Sequence, residues 1–474
     1  KNPATVHGGA LPTGIGWYRK SFVTPNIKDK VIYIEFDGIF RNSTIYINGE
    51  EVDRRPSGYN SMSYNITRYL KPEGETNIIA VRVDNSMQPA SRWYTGSGIY
   101  RNVRLVTTSE IHVDYSGTHI TTPSITNNEA TVHTVVTINN LTTEDKEITL
   151  RNTILNKRGK EEKYRETSAT IKAGESLDVE MDIVLESPTL WDVTNPYLYT
   201  MRSIVMVEHK AVDEYNTRFG IRQMEFKADT GFWLNGQNMK IKGVCLHHDL
   251  GALGSAVHRR AIEREIEIIK SMGVNAIRTA HNPPSPQLLD VCDEQGILVI
   301  DEAFDTWQRA KVKHDYSRHF NDWWEQDLEA FIKRDRNHPS IIAWSIGNAV
   351  QEQWEESRVA NPKKNKSVQL TRRMVDVVKR KDSSRPVTAA LSKMDTTNNL
   401  LRSNALDIVG INYNEKGYDS MRAWYSNMPI IATESAAVFN NPEAWYLSHE
   451  EAWIAVRDKE YVAGTFIWSA FDYL

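Results

Sequence analysis

From about Phe226 to the last residue, Leu474, short runs of apolar and β-branched residues alternate with longer segments of helical periodicity. This alternation constrains the fold more than any other feature, because strands separated by helices lie parallel in one sheet. The strand-like runs span 240–247, 276–280, 297–302, 341–347, 387–391, 408–413, 430–434 and 464–469. The first helical segment, 258–272, carries Ile262, Ile266 and Ile269 at i, i+4 and i+7, and so one apolar face that Gly273 terminates. Further helices are predicted over 285–295, 321–336, 368–381 and 449–459, the one over 321–336 barred from continuing by Pro339. Eight strands with intervening helices predict a (β/α)8 TIM barrel. No helical segment follows the eighth strand, which would leave apolar strand surface uncovered; the expectation is that the sequence is part of a longer chain.

The residues before the barrel read as β structure throughout. Runs at 31–36, 44–47 and 78–83 are rich in branched and aromatic residues, and Asn48-Gly49 after the second is a hairpin signal. Their spacing predicts an all-β sandwich, with little room for opening strands before Trp17. A second β segment, from about Ile111 to Phe219, alternates at 131–138 and 176–181 and has the length of one immunoglobulin-like sandwich. The expected division is therefore 1–108, 109–222 and 223–474.

Composition narrows the function classes. With 40% hydrophobic and 25% charged residues the chain is globular in character, and a net charge of -4 gives no footprint for nucleic acid or an anionic membrane. No apolar run approaches the roughly 18 residues that cross a bilayer. Cys245 and Cys292 neither establish nor exclude a disulfide. No signal peptide opens the sequence, so a targeting segment is expected to be absent or already removed. No cofactor is implied, no metal site is expected, and a homo-oligomer is compatible with the composition.

Barrel enzymes carry their chemistry at the C-terminal ends of the strands. Those ends hold His247, His281-Asn282, Asp301-Glu302 with Asp305 beyond, Asn348-Ala349, Asn412-Tyr413, Glu434 and Trp468. Seven of eight strand ends thus carry polar or aromatic groups toward one rim, more than solvation alone explains. A pair of carboxylates at strands four and seven would form a retaining glycosidase site; strand seven supplies Glu434, whereas strand four ends at Ala349. His247, His248 and Asp249 do not read as a metal cluster, because neighbours on a strand point to opposite faces. Trp323-Trp324 reads as core packing, Lys363-Lys364-Asn365-Lys366 as a solvated loop, and Glu302 as a structural carboxylate. The basic group Arg309, Lys311, Lys313 and His314 is either solvated or meets an anionic group on the leaving-group side.

The runs 243–249, 275–285 and 301–305, read with 14–20, 91–101 and 190–199, resemble family 2 glycoside hydrolases, most of all the β-galactosidase branch. The match covers nearly the whole chain in the family's order: jelly roll, immunoglobulin-like domain, barrel. In that family the strand-four motif is Ser-Ile-Gly-Asn-Glu, whose glutamate is the acid/base; here it reads Ser345-Ile346-Gly347-Asn348-Ala349. The resemblance implies that Glu434 is the nucleophile and that Asn348 meets the sugar 2-hydroxyl. It implies that His247, His281, Tyr413 and Trp468 line the first sugar site, and that Arg92 reaches it from the jelly roll. It extends the same site to Asp305 and, after strand five, to Asp395. The expected partner is a β-linked galactoside oligosaccharide, in a periplasmic or secreted bacterial setting. Ala349 fits either a substitution made to trap an intact ligand or a natural non-hydrolysing homologue, and the intact remainder of the site favours the first. The alternatives are a β-glucuronidase of the same family, whose Asn-x-Lys signature has no match at the expected place, a β-mannosidase, which lacks the His-Asn-Pro-Pro-Ser type of motif, and a non-catalytic carbohydrate-binding protein.

Overall fold

The computed structural model describes residues 11, 13–355, 361–436 and 442–473, with only the backbone described over 442–447. In the first domain a four-stranded sheet is ordered Ile15–Val23, Thr76–Asp84, Ser43–Ile47, Glu50–Arg55. It packs on a three-stranded sheet of Met62–Asn65, Lys30–Phe36 and Val103–Ser109 through Ile32, Ile34, Phe36, Ile45 and Val81. Asn48 and Gly49 take φ of 52° and 90° and join Ile47 directly to Glu50. This is the two-residue turn with both central residues left-handed that suits strand twist. The second domain is also a sandwich: Ile111–Ile125, Glu129–Asn140 and Ser176–Glu186 face a sheet of Glu161–Ile171, Lys146–Leu155, Tyr199–Val207 and Lys210–Phe219.

Eight parallel strands then close a barrel: Ile241–Leu246, Ala276–Thr279, Leu298–Glu302, Ile341–Asn348, Val387–Leu391, Val409–Asn412, Ile430–Ser435 and Val462–Ile467. They are strands one to eight below. Four helices follow strands one to four: α1 (Arg259–Ser271), α2 (Pro286–Gln295), α3 (Ser317–Asp335) and α4 (Lys366–Lys381). Strands five and six are followed by α5 (Asn399–Arg402) and α6 (Tyr418–Trp424), too short for a periodic signal and not foreseen from sequence; α7 (Pro442–Arg457) follows strand seven.

Alternation along the strands separates two cores. Val244, Ile277, Val299 and Trp344 face the helices, including Ile262, Ile266 and Ile269 of α1. Ile241, Cys245, Ala276, Leu298, Ile431 and Phe466 fill the barrel, and this inner cluster continues onto Phe232, Leu234 and Trp191. Gly243 belongs to the inward set because Phe466 occupies the space beside it: a Cβ there would lie 2.3 Å from the ring. Both cysteines are free and buried. No helix among the described residues is long and apolar enough to cross a membrane.

The first domain grips the barrel from the side of α3. Arg55 makes a buried ion pair with Asp327 at 2.6 Å, and Arg101 donates to the carbonyl of Pro283 at 2.9 Å. These contacts bring the loop carrying Arg92 and Trp93 to the C-terminal rim.

Candidate active site

Strand two places Ala276, Arg278 and Ala280 on its inward face, which puts a wholly buried arginine at the top of the barrel. Its guanidinium holds both oxygens of Glu302 on strand three at 2.8–2.9 Å. It also donates to Glu434 Oε1 at 2.9 Å and to Asn348 Oδ1 at 3.1 Å. One planar cation therefore ties strand four to strand seven. Burial alone would depress Arg278, but Glu302, Cys245 and Glu434 hold its pKa well above the ordinary arginine value. Glu302 is consumed inside the network, accepting also from Ser345 Oγ at 2.6 Å; burial raises its pKa and Arg278 opposes the rise.

The strand ends deviate from regular pairing where these groups are needed. Register shifts fall between Ser345 and Asn348, between Ile411 and Asn412, and between Ala432 and Ser435. Such irregularities re-aim side chains at barrel rims. The first lets Ser345 and Asn348 both reach the Arg278 cluster, although they lie an odd number of residues apart. Ala349, Tyr413 and Ala436, the residues leaving strands four, six and seven, all take positive φ, of 40°, 50° and 60°.

His281 Nδ1 lies 2.7 Å from Glu302 Oε1 and 3.2 Å from the Arg278 guanidinium, and Nε2 lies 3.8 Å from Glu434. Burial, then the neighbouring Arg278, holds its pKa well below the usual histidine value, so the ring is neutral. His247 repeats the arrangement: Nδ1 meets the carbonyl of Ala280 at 2.8 Å, and burial, then His281 and His248, keep it neutral. Aromatic rings frame both. Trp93 stacks on His247 with centroids 4.8 Å apart, Tyr473 approaches it edge-on at 4.5 Å, and Trp468 lies parallel to His281 at 5.1 Å. Tyr413 is half exposed; burial, then the charge of Glu434, raises its phenol pKa well above the ordinary value.

Asp305 forms a second node. Arg92 of the first domain grips it with two bonds, of 2.6 and 3.1 Å, while Lys311 Nζ and Asn348 Nδ2 each donate to Oδ1 at 2.9 Å. Burial opposes ionisation of Asp305, but Lys311 and Arg92 prevail and hold its pKa well below the usual range.

The structure thus brings Glu434, Asn348, His247, His281, Tyr413, Trp468, Arg92 and Asp305 to one rim, with Ala349 next to Asn348. It does not bring Asp395 there: that carboxylate accepts from Thr397 N at 2.7 Å and Thr397 Oγ1 at 2.6 Å in its own loop and is half exposed. His248 turns away to the carbonyl of Thr95 at 3.1 Å. Trp324 is core, as expected, whereas Trp323 lies under the Arg55 guanidinium. Sequence reasoning passed over Arg278, Trp93 and Tyr473, and left Lys311 in a basic cluster of undecided role. Arg278 was within reach, because its parity on strand two matches Ala276 and Ala280.

His248 carries a pH prediction. Burial, then Arg101 beside it, pushes its pKa down to about 4, against about 6.5 in an unfolded chain. The folded state thus disfavours the protonated ring, so the stability linked to it is full above pH 6.5 and is lost as pH falls toward 4. His248→Gln is expected to flatten the fall of Tm between pH 7 and 5 in differential scanning fluorimetry; an unchanged slope contradicts this.

Three family descriptions cover the chain: "Glycosyl hydrolases family 2, sugar binding domain" over residues 2–109, "Glycosyl hydrolases family 2" over 111–222 and "Glycosyl hydrolases family 2, TIM barrel domain" over 225–473. The chain belongs to glycosyl hydrolase family 2. Among its relatives, the Beta-galactosidase BoGH2A of Bacteroides ovatus is 41% identical over all of this chain and 62% of its own length. A Beta-glucuronidase of Bacteroides fragilis is 26% identical over 97% of this chain and 70% of its own length. Among solved structures, a family 2 member from Bacteroides cellulosilyticus superposes with a TM-score of 0.92 and 39% identity, over 100% of this chain and 58% of that one. The chain therefore spans about three fifths of the length of the Bacteroides ovatus and Bacteroides cellulosilyticus proteins.

Proposed function

We propose that this chain carries the first-sugar site of a retaining β-galactosidase, with Glu434 as the nucleophile and position 349 as the place of the acid/base. The observation that carries the reading is the Arg278 guanidinium, which joins Glu434 Oε1 to the side chain of Asn348, one residue before Ala349. Of the two carboxylates on Arg278, Glu302 is wholly enclosed and Glu434 is the one that reaches the rim. Attack by a Glu434 oxygen on the anomeric carbon breaks the bond to the leaving oxygen and forms a glycosyl ester. The partner carboxyl, about 5–5.5 Å away in retaining enzymes, would protonate that oxygen and then deprotonate water. Alanine at 349 can do neither, so this chain turns over natural glycosides far more slowly than a form with glutamate there, while the groups that hold the sugar stay in position.

Charge balance supports a neutral sugar. Arg92, Arg278 and Lys311 are matched by Glu302, Asp305 and Glu434, and both site histidines are neutral, which leaves none of these cations unpaired for a uronate carboxylate. For this reason the β-galactosidase reading is preferred to β-glucuronidase, although relatives bear both names.

An activated aryl β-galactoside supplied with sodium azide tests the reading. A good leaving group needs no proton, so Glu434 forms the glycosyl ester, and azide then displaces it without a base. The expected product is β-galactosyl azide from this chain and none from Glu434→Gln. No azide adduct from the folded protein, or equal yield from both proteins, would overturn the assignment.

A further inference from the structure

Lys311 lies on the loop after strand three, with only 8% of its side chain exposed. Its Nζ donates to two acceptors, Asp305 Oδ1 at 2.9 Å and the main-chain carbonyl of Asn348 at 2.6 Å. That carbonyl belongs to the peptide bond leading into Ala349. The N–H of that same peptide, Ala349 N, donates to the carbonyl of Ala390 at 2.8 Å. The residue that follows this doubly anchored peptide has φ of 40°, a left-handed conformation that a non-glycine residue keeps only when its surroundings impose it. Asp305 meanwhile holds the Asn348 amide, so one ion pair fixes that residue by both main chain and side chain.

We propose that Lys311 is a positioning residue for residue 349: it fixes the peptide that aims that side chain and sets a positive charge beside it. The inference rests on reading position 349 as the place of the acid/base. It gives Lys311 a role distinct from binding an anionic leaving group, one of the two readings open from sequence. Burial opposes the charge on Lys311 and Asp305 favours it, with a net lowering of its pKa from the ordinary lysine value.

The charged and titratable groups of this rim include Asp305 and Glu302 from strand three and its loop, Arg92 from the first domain, Arg278 and His281 from strand two and its end, Tyr413 from strand six, Glu434 from strand seven, the buried Glu352 three residues beyond position 349 and the buried Lys393 after strand five. With a carboxyl installed by Ala349→Glu, removing the nearby ammonium weakens its ionised form. Leaving Asp305 with one cation fewer acts in the same direction. The pKa of the installed carboxyl then rises, and the basic limb of kcat/KM moves to higher pH.

The test compares pH profiles of kcat/KM on an aryl β-galactoside for Ala349→Glu alone, with Lys311→Met and with Lys311→Arg. The basic limb is expected to move up by about one pH unit with Lys311→Met, with kcat falling more than KM rises, and to return with Lys311→Arg. Tm is recorded for all three, and Lys311→Gln replaces Lys311→Met if the latter is unfolded. An unmoved limb, or a loss of rate that follows Tm alone, overturns the role of Lys311 while leaving the acid/base reading intact. A folded but inactive Ala349→Glu protein overturns the acid/base reading itself, and the inference falls with it.

Discussion

Replacing Ala349 by glutamate is expected to raise hydrolysis of β-galactosides by roughly 10²–10⁴-fold, the usual contribution of a positioned general acid/base. The backbone is already prepared for the change. Ala349 holds its left-handed φ of 40° with a Cβ in place, so a longer side chain adds no new main-chain strain. Asn348 is held by Arg278 and Asp305, and Ala349 itself is only half buried. The gain should depend on the leaving group, because a poor one needs its proton most. Initial rates across aryl β-galactosides of graded phenol pKa should therefore show a small gain with dinitrophenolate and a large one with phenol. A folded Ala349→Glu protein with no gain, or with a gain independent of the leaving group, contradicts the assignment.

The second large effect is on stability. Arg278→Met is expected to destabilise the fold by about 3–5 kcal/mol, because removing one member of a buried ion cluster leaves the others uncompensated. Glu302 bears most of the damage, being wholly enclosed and bonded to that guanidinium through both oxygens. It would respond by protonating, so its folded-state pKa would rise further above the unfolded value. A carboxyl with a raised folded pKa loses stability as pH rises through that pKa, so the deficit should be smaller at pH 5 than at pH 8. Urea titrations at both pH values measure this, and Glu302→Gln added to Arg278→Met should recover part of the loss at pH 8. A variant as stable as the parent at pH 8 would show that the cluster is not a folding determinant.

The legible parts of the chain are those where local pattern and tertiary outcome agree. The bounds of strand five are legible to the residue and those of the other barrel strands to within two, because each is a short apolar run bounded by polar residues. Rim position alone placed His281, Asn348 and Glu434 together, since a strand's end is visible in sequence even when its neighbours are not. What escaped was settled by distance in space. Asp395 carries the right chemistry after the right strand, yet Thr397, two residues on, offers it a hydroxyl and a backbone N–H at no entropic cost. In the sequence Lys311 is one of several bases whose role stays open, because its partners Asp305 and Asn348 meet it only once the loop after strand three folds back across strand four. Helices α5 and α6, of four and seven residues, are shorter than the period needed to recognise them.

The paired contacts Arg92–Asp305 and Trp93–His247 bear on how such proteins can be recombined. The first domain is not an accessory module hung on a self-sufficient barrel, because it furnishes part of the wall of the site. A barrel expressed without it would leave Asp305 with Lys311 as its only cation among the described residues and would open the face of His247 to water. A chimaera that took its jelly roll from a relative lacking an arginine at this place would inherit the same fault, however well its sandwich folded. Residues 92, 93, 247 and 305 are a unit of exchange that spans a domain boundary.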